Sequence, residues 1–348
     1  MTDAQDPAAY AWPAGGAPDD LEPPGRGLVA PFVGGGAFIL DAPDRVPAVW
    51  GAGDRVLWAA GEALMVCGGP GVGKTTVTGQ LVRALLTGGD VLGYPVARRS
   101  RVLYLAMDRP RQIARSLRRQ FGPEDADVLA SGLVVHPGPP YADAARDDRV
   151  LLNLVEAAEA DVLVVDSIKD AAVGLSEDAV GAGYNRARQR VIAAGVDVLE
   201  LHHLVKRGPN GGAPRELADV YGSTWLTSGA GSVIVLEGAA GDPLVKLHHL
   251  KQPAGLVGPL DVLHDHARGV STVAGALDPL ALLDARGGAL TARELATALT
   301  EADRPKPADV ERARRALEGY VRTGALVSEL DTGAVAGKGV TVYRRPPS

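Results

Sequence analysis

Cysteine and long apolar runs are almost absent from this sequence. Its 348 residues contain one cysteine, Cys67, so no internal disulfide forms and no Cys/His cluster has zinc-site spacing. No stretch reaches 18 uninterrupted apolar residues, and the first residues lack the basic and apolar regions of a signal peptide. These absences exclude a secreted disulfide scaffold and predict a cytoplasmic protein with no membrane partner.

Positive charge and aromatic rings are also scarce. The 36 Lys and Arg residues are outnumbered by 42 Asp and Glu, which gives a net charge of −6, and aromatic residues make up 4%. The sequence therefore has no overall positive field that attracts nucleic acid, and a broad stacking surface for single-stranded bases is disfavoured. Any contact with DNA must come from local patches.

The composition is that of a folded protein with about two domains. Apolar residues make up 46% and charged residues 22%, which is ordinary for globular proteins. Residues 1–27 are rich in Pro, Gly, Ala and Asp without periodicity, which predicts a disordered tail. The two predicted domains are residues 28–268 and residues 278–348.

Short apolar runs alternate with helix-length segments in residues 28–268. The runs are nearly continuous, as in strands buried on both faces, so the pattern predicts an α/β fold with a doubly wound, mostly parallel sheet. The predicted strands are Ala63–Cys67, Arg101–Met107, Asp161–Val165, Val196–Leu201, Ser232–Leu236 and Leu244–Leu250. The predicted helices are Thr75–Leu86, Arg109–Phe121, Asp147–Ala160 and Ala179–Ala194.

The strongest motif is a glycine-rich loop at the end of the first predicted strand. It fits G-x-x-x-x-G-K-[ST] and lies between a strand and a helix, the context of a phosphate-binding P-loop. In such loops the backbone N–H groups and the helix N-terminus bind phosphates, here of ATP. Lys74 then reaches the β- and γ-phosphates, and the Thr75 hydroxyl ligates Mg²⁺. The predicted nucleotide-binding residues are Gly68, Gly69, Pro70, Gly71, Val72, Gly73, Lys74, Thr75 and Thr76.

Two other predicted strands lead into an acidic residue. Asp166 follows the run Asp161–Val165 at the carboxyl edge of the predicted sheet, where ligands bind, and we predict that it completes the Mg²⁺ shell. Asp108 follows the run Arg101–Met107 and is the candidate general base that orients water. The alternative for Asp108 is the N-cap of the next helix.

The order of these segments resembles RecA-fold P-loop ATPases. It is most similar to the RepA/DnaB-like branch, which includes hexameric replicative helicases and AAA-type relatives from actinobacteria and phages. The resemblance implies a RecA-like core that hydrolyses ATP with Mg²⁺ and assembles as a homo-oligomer such as a hexamer. It covers roughly residues 30–265 and rests on the P-loop, LYLAMD with the basic helix RPRQIARSLRRQ, VLVVDS, LELHHLVKR and YGSTWLTSGAGSVIVLEG.

The resemblance also implies catalytic roles outside the P-loop. Asp108 matches the catalytic carboxylate, which is more often Glu in the family, and the shorter side chain implies slow hydrolysis. His203 matches the polar sensor of the γ-phosphate, and its alternative is a core or solvated histidine. Lys251, in His249-x-Lys251, matches the place from which related helicases reach a neighbour's γ-phosphate, although no Arg is present for bidentate contact.

A Gly/Pro-rich loop with flanking cations is the first predicted DNA contact. Residues 208–214 take the position of the channel loop that contacts DNA in RecA-like rings, and Lys206, Arg207 and Arg215 flank it. Cations on a glycine-rich segment suit backbone phosphates, which demand charge rather than a particular sequence. The alternative is an ordinary solvated loop.

The pattern of residues 278–348 is that of a winged helix. Three short helical segments are followed by two β-like runs around a glycine-rich tip, and Thr291 with Glu294 forms a predicted capping box. The predicted DNA contacts are Arg312 and Arg315 on the last helix and Lys338 at the tip. Because the segment is nearly neutral, a module that docks protein is the alternative.

Three functions fit these features. The first is an ATP-driven, ring-forming motor on DNA, a helicase or helicase-like ATPase in replication of a plasmid, phage or other mobile element. The second is an ATP-switched DNA-binding or helicase-loading factor with slow turnover. The third, a small-molecule kinase, is disfavoured because no acceptor pocket or lid is evident in the sequence.

Overall fold

The computed structural model describes residues 34–205, 214–274, 279–300, 302–322, 324–331 and 339–346. The predicted tail, Lys206, Arg207 and Lys338 lie outside these ranges. Arg312 lies within them, but its side chain is not described. Residues 1–44 form one unit and residues 45–348 another. The described part of the first unit contains one short helix, α1 (Gly35–Leu40). None of the helices in the described ranges has the length and apolar character needed to cross a membrane.

The second unit contains the remaining helices and all strands of the described residues. The helices are α2 (Lys74–Thr87), α3 (Pro110–Leu117), α4 (Ala126–Gly132), α5 (Val150–Ala158), α6 (Ile168–Ala171), α7 (Asp178–Ala193), α8 (Thr224–Ser228), α9 (Pro279–Ala285), α10 (Ala292–Thr300) and α11 (Pro307–Arg322). The first strands are β1 (Ala48–Ala52), β2 (Arg55–Ala59), β3 (Ala63–Gly68), β4 (Asp90–Val91), β5 (Tyr94–Pro95), β6 (Val102–Ala106), β7 (Leu133–Pro137) and β8 (Val162–Asp166). The others are β9 (Asp197–His202), β10 (Ser232–Glu237), β11 (Leu244–Lys251), β12 (Leu260–Asp265), β13 (Val270–Val273), β14 (Ala289–Thr291), β15 (Val327–Asp331) and β16 (Val340–Arg344).

One large sheet organises residues 63–273. Its strand order is β13-β12-β11-β10-β3-β9-β8-β6-β7, and the six strands from β10 to β7 are parallel. The predicted doubly wound, mostly parallel α/β fold is confirmed. Strands such as β3 are buried along their whole length, which explains their continuous apolar sequence.

Helices cover both faces of this sheet, so two hydrophobic layers form. Along β3, Leu64 and Val66 belong to the layer that includes α2 and α3, while Met65 and Cys67 belong to the layer that includes α5 and α7. This alternation follows from the pleat of a strand, which points successive side chains to opposite faces. The carboxyl ends of the parallel strands remain accessible between the layers.

One predicted strand differs from the expected pattern. The run Leu244–Leu250 was expected to be buried on both faces like the parallel strands, but β11 is antiparallel to β10 and alternates between buried and more exposed residues. The hairpin of β12 and β13 continues this antiparallel edge. The sheet therefore ends at Val273, and the predicted domain boundary at 268 falls in the turn between β12 and β13.

Residues 279–344 have a sheet and a hydrophobic cluster of their own. The elements follow the order α9-β14-α10-α11-β15-β16, and the antiparallel sheet has the order β14-β16-β15. Buried residues of all three helices form the cluster, among them Leu283, Leu295 and Leu317. The predicted capping box is present: the Thr291 N–H donates to Glu294 Oε2 at 2.8 Å, and the Glu294 N–H donates to Thr291 Oγ1 at 3.2 Å.

Candidate functional site

The P-loop connects β3 to α2 at the carboxyl edge of the sheet. Gly71 and Gly73 have φ values of 75° and 93°, a region that glycine adopts without strain. A Cβ on Gly73 would also lie 2.3 Å from the His264 ring, so only glycine fits this position. Because α2 begins at Lys74, its first N–H groups face the loop and provide an anion site.

The Lys74 ammonium lies inside the P-loop. It donates to the carbonyl oxygens of Gly68 and Gly69, both at 2.8 Å. Burial lowers the pKa of Lys74 to about 8, although the charge of Asp166 acts in the opposite direction. A bound triphosphate would replace two neutral acceptors with charged oxygens and would favour the protonated ammonium.

Asp166 ends β8, two strands away from β3 in the sheet. Its Oδ2 accepts a hydrogen bond from the Tyr104 hydroxyl at 2.8 Å, which fixes the carboxylate. Burial raises the pKa of Asp166, while the Tyr104 hydrogen bond and the Lys74 charge oppose this shift. A cation beside Asp166 would therefore favour its charged form.

The residues present fit a magnesium ion bound with a nucleotide. The Thr75 hydroxyl and the Asp166 carboxylate line the same cavity and supply the hard oxygen ligands that Mg²⁺ prefers. Among the described residues, no three His, Cys, Asp or Glu side chains cluster as a complete metal site. Such a sparse set is typical of Mg²⁺, which takes its other ligands from phosphates and water.

Asp108 lies two residues after β6 and lines the same cavity as the P-loop residues. Its carboxylate accepts from Arg109 Nε at 3.1 Å, and the Asp108 side chain is 44% exposed. The alternative role as an N-cap is wrong, because Arg109 occupies the N-cap position of α3. Asp108 therefore faces the cavity with a carboxylate that a water molecule can reach.

His203 follows β9 and lies in the cavity with Lys74 and Asp166. It is half-buried, and burial followed by the Lys74 charge lowers its pKa to about 4. His203 is therefore neutral near pH 7 and can donate one hydrogen bond to a phosphate oxygen without adding charge.

The cavity holds other polar side chains that the sequence did not single out. It has a volume of about 280 Å³ and adjoins a second cavity of about 380 Å³ under α3. Gln112, Ser116 and Arg119 are spaced four and three residues apart, as on one face of a helix. This spacing in the basic segment after Asp108 could have predicted that they lie on the same side. The additional polar residues that line the two cavities are Arg109, Gln112, Arg115, Ser116, Arg119, Ser167, Lys169 and His266.

Lys251 lies near the amino-terminal ends of the parallel strands, away from the carboxyl ends that hold the P-loop. The register pairs Lys251 with Val233 near the start of β10, whereas Gly68 of the P-loop pairs with Leu236 near its end. The Lys251 ammonium donates to the carbonyl oxygens of Thr227 at 3.2 Å and Ser228 at 2.8 Å. The structure therefore does not bring Lys251 to the P-loop of its own chain.

Three other residues of the predictions lie outside the cavity. His249 is buried in β11, with Nε2 2.8 Å from Ser232 Oγ. Arg215 is exposed, and its backbone N–H donates to Asp219 Oδ2 at 2.6 Å. Arg315 is exposed on α11 and forms an ion pair with Glu311 at 3.1 Å.

Part of this chain is similar to known proteins with an AAA domain. A sequence model of the family described as "AAA domain" matches residues 38–209, slightly less than half of the chain. A solved KaiC-like protein from the hyperthermophilic archaeon Pyrococcus horikoshii OT3 is 17% identical, with 66% of this chain and 98% of that chain covered and a TM-score of 0.44. Among curated proteins, none matches significantly. The residues that match the AAA-domain model include Lys74, Asp108, Asp166 and His203.

Proposed function

We propose that this chain, which has a P-loop in a RecA-like fold and matches an AAA-domain model over residues 38–209, is an ATP-driven motor on DNA. In this proposal, Mg²⁺-dependent ATP hydrolysis drives a ring of copies along DNA, as a helicase-like ATPase in the replication of a plasmid, phage or other mobile element. The observation that carries the proposal is that His203 lines the nucleotide cavity and is followed in the sequence, after two residues, by the cations Lys206 and Arg207.

The cavity residues divide the work of hydrolysis among them. Lys74 and the N-terminus of α2 bind the phosphates, and Thr75 with Asp166 would hold Mg²⁺, which neutralises charge on the phosphates. Asp108 orients the attacking water and accepts its proton. Neutral His203 senses whether a γ-phosphate is present.

The link to DNA begins at His203. Only Leu204 and Val205 separate His203 from Lys206, the first cation of the predicted channel loop. The backbone on both sides of this loop is paired: the Tyr221 N–H donates to His203 O at 3.1 Å, and the Val205 N–H donates to Asp219 O at 2.9 Å. A shift of His203 on loss of the γ-phosphate would therefore move both ends of the loop together.

ATPase rates without DNA, with single-stranded DNA and with duplex test this proposal. At fixed salt, single-stranded DNA should raise kcat several-fold, and a Lys206→Ala/Arg207→Ala variant should lose this stimulation while its basal rate remains. A Lys246→Ala variant is the control, since Lys246 is an exposed cation paired with Asp261. No stimulation of the wild-type protein by any DNA would contradict the motor.

A second candidate function is supported by residues 279–344. Their order of three helices and three short strands supports the predicted winged helix, which would suit an ATP-switched DNA-binding or helicase-loading factor. The charges of α11 favour a DNA-binding role less, because its arginines are paired with acidic residues. Arg314 and Arg315 both pair with Glu311, and Arg314 also pairs with Glu318.

Removal of residues 275–348 separates the two functions. A motor should keep most of its DNA-stimulated hydrolysis, because the channel loop belongs to the ATPase core. A switch should lose DNA binding together with the C-terminal segment. Both measurements need the same salt concentration, because phosphate contacts weaken steeply as salt increases.

A further inference from the structure

Lys169 is a cation of the nucleotide cavity that the sequence motifs leave without a role. It is the second residue of α6, three positions after Asp166. Its side chain lines the cavity together with Lys74, Thr75 and His203. These neighbours are the ones that would surround the terminal phosphates of a bound nucleotide.

The local structure of α6 holds Lys169 on the cavity side. Ile168 and Ala171 are 0% and 2% exposed, so they anchor the helix turn in the core. The Ser167 hydroxyl donates to Asp170 Oδ2 at 2.8 Å and closes a capping box at the start of the turn. Lys169 lies between these anchors and is 43% exposed.

The charge of Lys169 is only weakly balanced. Its shortest ion pair with a described residue is 3.9 Å, to Asp170 Oδ1, and that carboxylate already accepts from Ser167. Burial, followed by the charges of Lys74 and Lys169, lowers the pKa of His203. The ammonium therefore acts electrostatically on the centre of the cavity.

The whole cavity has an excess of positive charge. Lys74, Arg109, Arg119 and Lys169 face the two carboxylates of Asp108 and Asp166. An anion such as the triphosphate of ATP would compensate this excess. Lys251 lies away from the P-loop of its own chain. A second cation of the same chain that contacts the γ-phosphate would therefore be one of the cavity residues.

We propose that Lys169 contacts the γ-phosphate of ATP bound to the P-loop of its own chain. In hydrolysis, the water oxygen forms a bond to the γ-phosphorus while the bond from that phosphorus to the β,γ-bridging oxygen breaks. The electron pair of the broken bond stays on ADP, and the proton of the water passes to Asp108. Lys169 stabilises the negative charge on the γ-phosphate oxygens as the phosphoryl group is transferred. This inference rests on the ATPase part of the proposed function and is independent of DNA and of the ring.

The test combines kinetics with nucleotide binding in the Lys169→Ala variant. We expect kcat to fall about 10- to 100-fold, because a preplaced charge is lost from the transition state. The Kd of a non-hydrolysable ATP analogue should rise about tenfold, whereas the Kd of ADP should stay within twofold, since only ATP carries the γ-phosphate. Lys169→Arg should keep part of the activity.

Lys246→Ala is the matched control, because Lys246 is 44% exposed and lies outside the nucleotide cavity. A Lys169→Ala variant with wild-type kcat, or with equal loss of affinity for ADP and the ATP analogue, would overturn the proposal. If the wild-type protein does not hydrolyse ATP, the proposed function fails, but the two affinities still test the contact.

Mixed oligomers test whether the contact is within one chain. Lys169→Ala and Lys74→Ala chains each lack one half of the same site, so mixing them should restore no activity. Recovered activity would assign Lys169 to the site of a neighbouring chain and would overturn a contact within the chain.

Discussion

At the scale of single residues, the protonation of Lys74 determines how ATP binding responds to pH. The pKa of Lys74 is lowered to about 8 in the protein without nucleotide, and phosphate binding favours its charged form. Binding near pH 8 should therefore take up a proton, and affinity should fall as pH increases above 8. Calorimetry in buffers of different ionisation enthalpy measures this uptake, which Lys74→Arg should abolish. Proton release in the wild-type protein would contradict the assignment.

Asp108 gives a second prediction at this scale. The Asp108→Asn variant keeps the size of the side chain but removes the base, so kcat should fall by about 100-fold or more. The affinity for ATP should change little, because Asp108 lies between β6 and α3 and is not part of the P-loop. The two quantities are measured by steady-state hydrolysis and by titration with a non-hydrolysable analogue. Loss of binding would instead assign Asp108 to the Mg²⁺ site or to the fold.

At the scale of elements, a buried ion pair joins β9 to α7. Arg188 and Glu200 are fully buried, with Arg188 Nε 3.1 Å from Glu200 Oε1, and Tyr184 donates to the same oxygen at 2.7 Å. Arg188 also donates twice to Leu226 O in α8, at 3.0 Å. Strand β9, which leads into His203, is thus tied to two helices by buried polar groups.

Removing one member of this pair should destabilise the protein strongly. Arg188→Met leaves the Glu200 carboxylate buried without its cation, at a cost of about 3–5 kcal/mol. The double variant Arg188→Met/Glu200→Gln should recover part of this loss, because its buried groups are neutral. Thermal unfolding compares the three proteins. A double variant less stable than Arg188→Met would contradict the explanation by an unpaired buried charge.

The elements also show which parts of the fold the sequence predicts. The strands that hold the site have continuous apolar sequences. The predicted ends of β3, β6, β8, β9 and β10 therefore agree with the observed ends to within one residue. The hairpin of β12 and β13 escapes this reasoning, because β12 is exposed at alternate residues and reads LDVLHD. Periodicity cannot tell a strand's direction, which is why β11 is assigned to the wrong pattern.

The same limit applies to the site. The positions of Lys74, Thr75 and Asp166 can be predicted from local sequence. A P-loop motif and the end of an apolar strand determine these positions without information from distant segments. His266 reaches the cavity from the β12–β13 turn. In the same segment, His264 of β12 packs against Gly73 of the P-loop. This contact joins residues nearly 200 positions apart, and no local pattern reports it.

At the scale of the whole molecule, the place of Lys251 decides whether copies must assemble for activity. Lys251 pairs with Val233 and Gly68 pairs with Leu236, so Lys251 and the start of the P-loop lie three residues, or ~10 Å, apart along β10, toward opposite ends of the strand. If Lys251 contacts a γ-phosphate at all, that phosphate is bound by a neighbouring chain. Its ammonium would have to leave the carbonyl oxygens of Thr227 and Ser228 in such an assembly.

The Lys251→Ala variant tests this role in oligomers. It should bind ATP normally but hydrolyse it about 10- to 100-fold more slowly, because the transition state loses a cation. Mixing it with Lys74→Ala chains should restore part of the activity, since a mixed interface pairs an intact P-loop with an intact Lys251. The ATPase rate is measured against the mixing ratio at concentrations where oligomers persist, and thermal unfolding of the variant controls for the lost hydrogen bonds to α8. A rate equal to the sum of the two variants at every ratio, in confirmed mixed oligomers, would contradict a role for Lys251 in a neighbouring site and would remove a main argument for a ring.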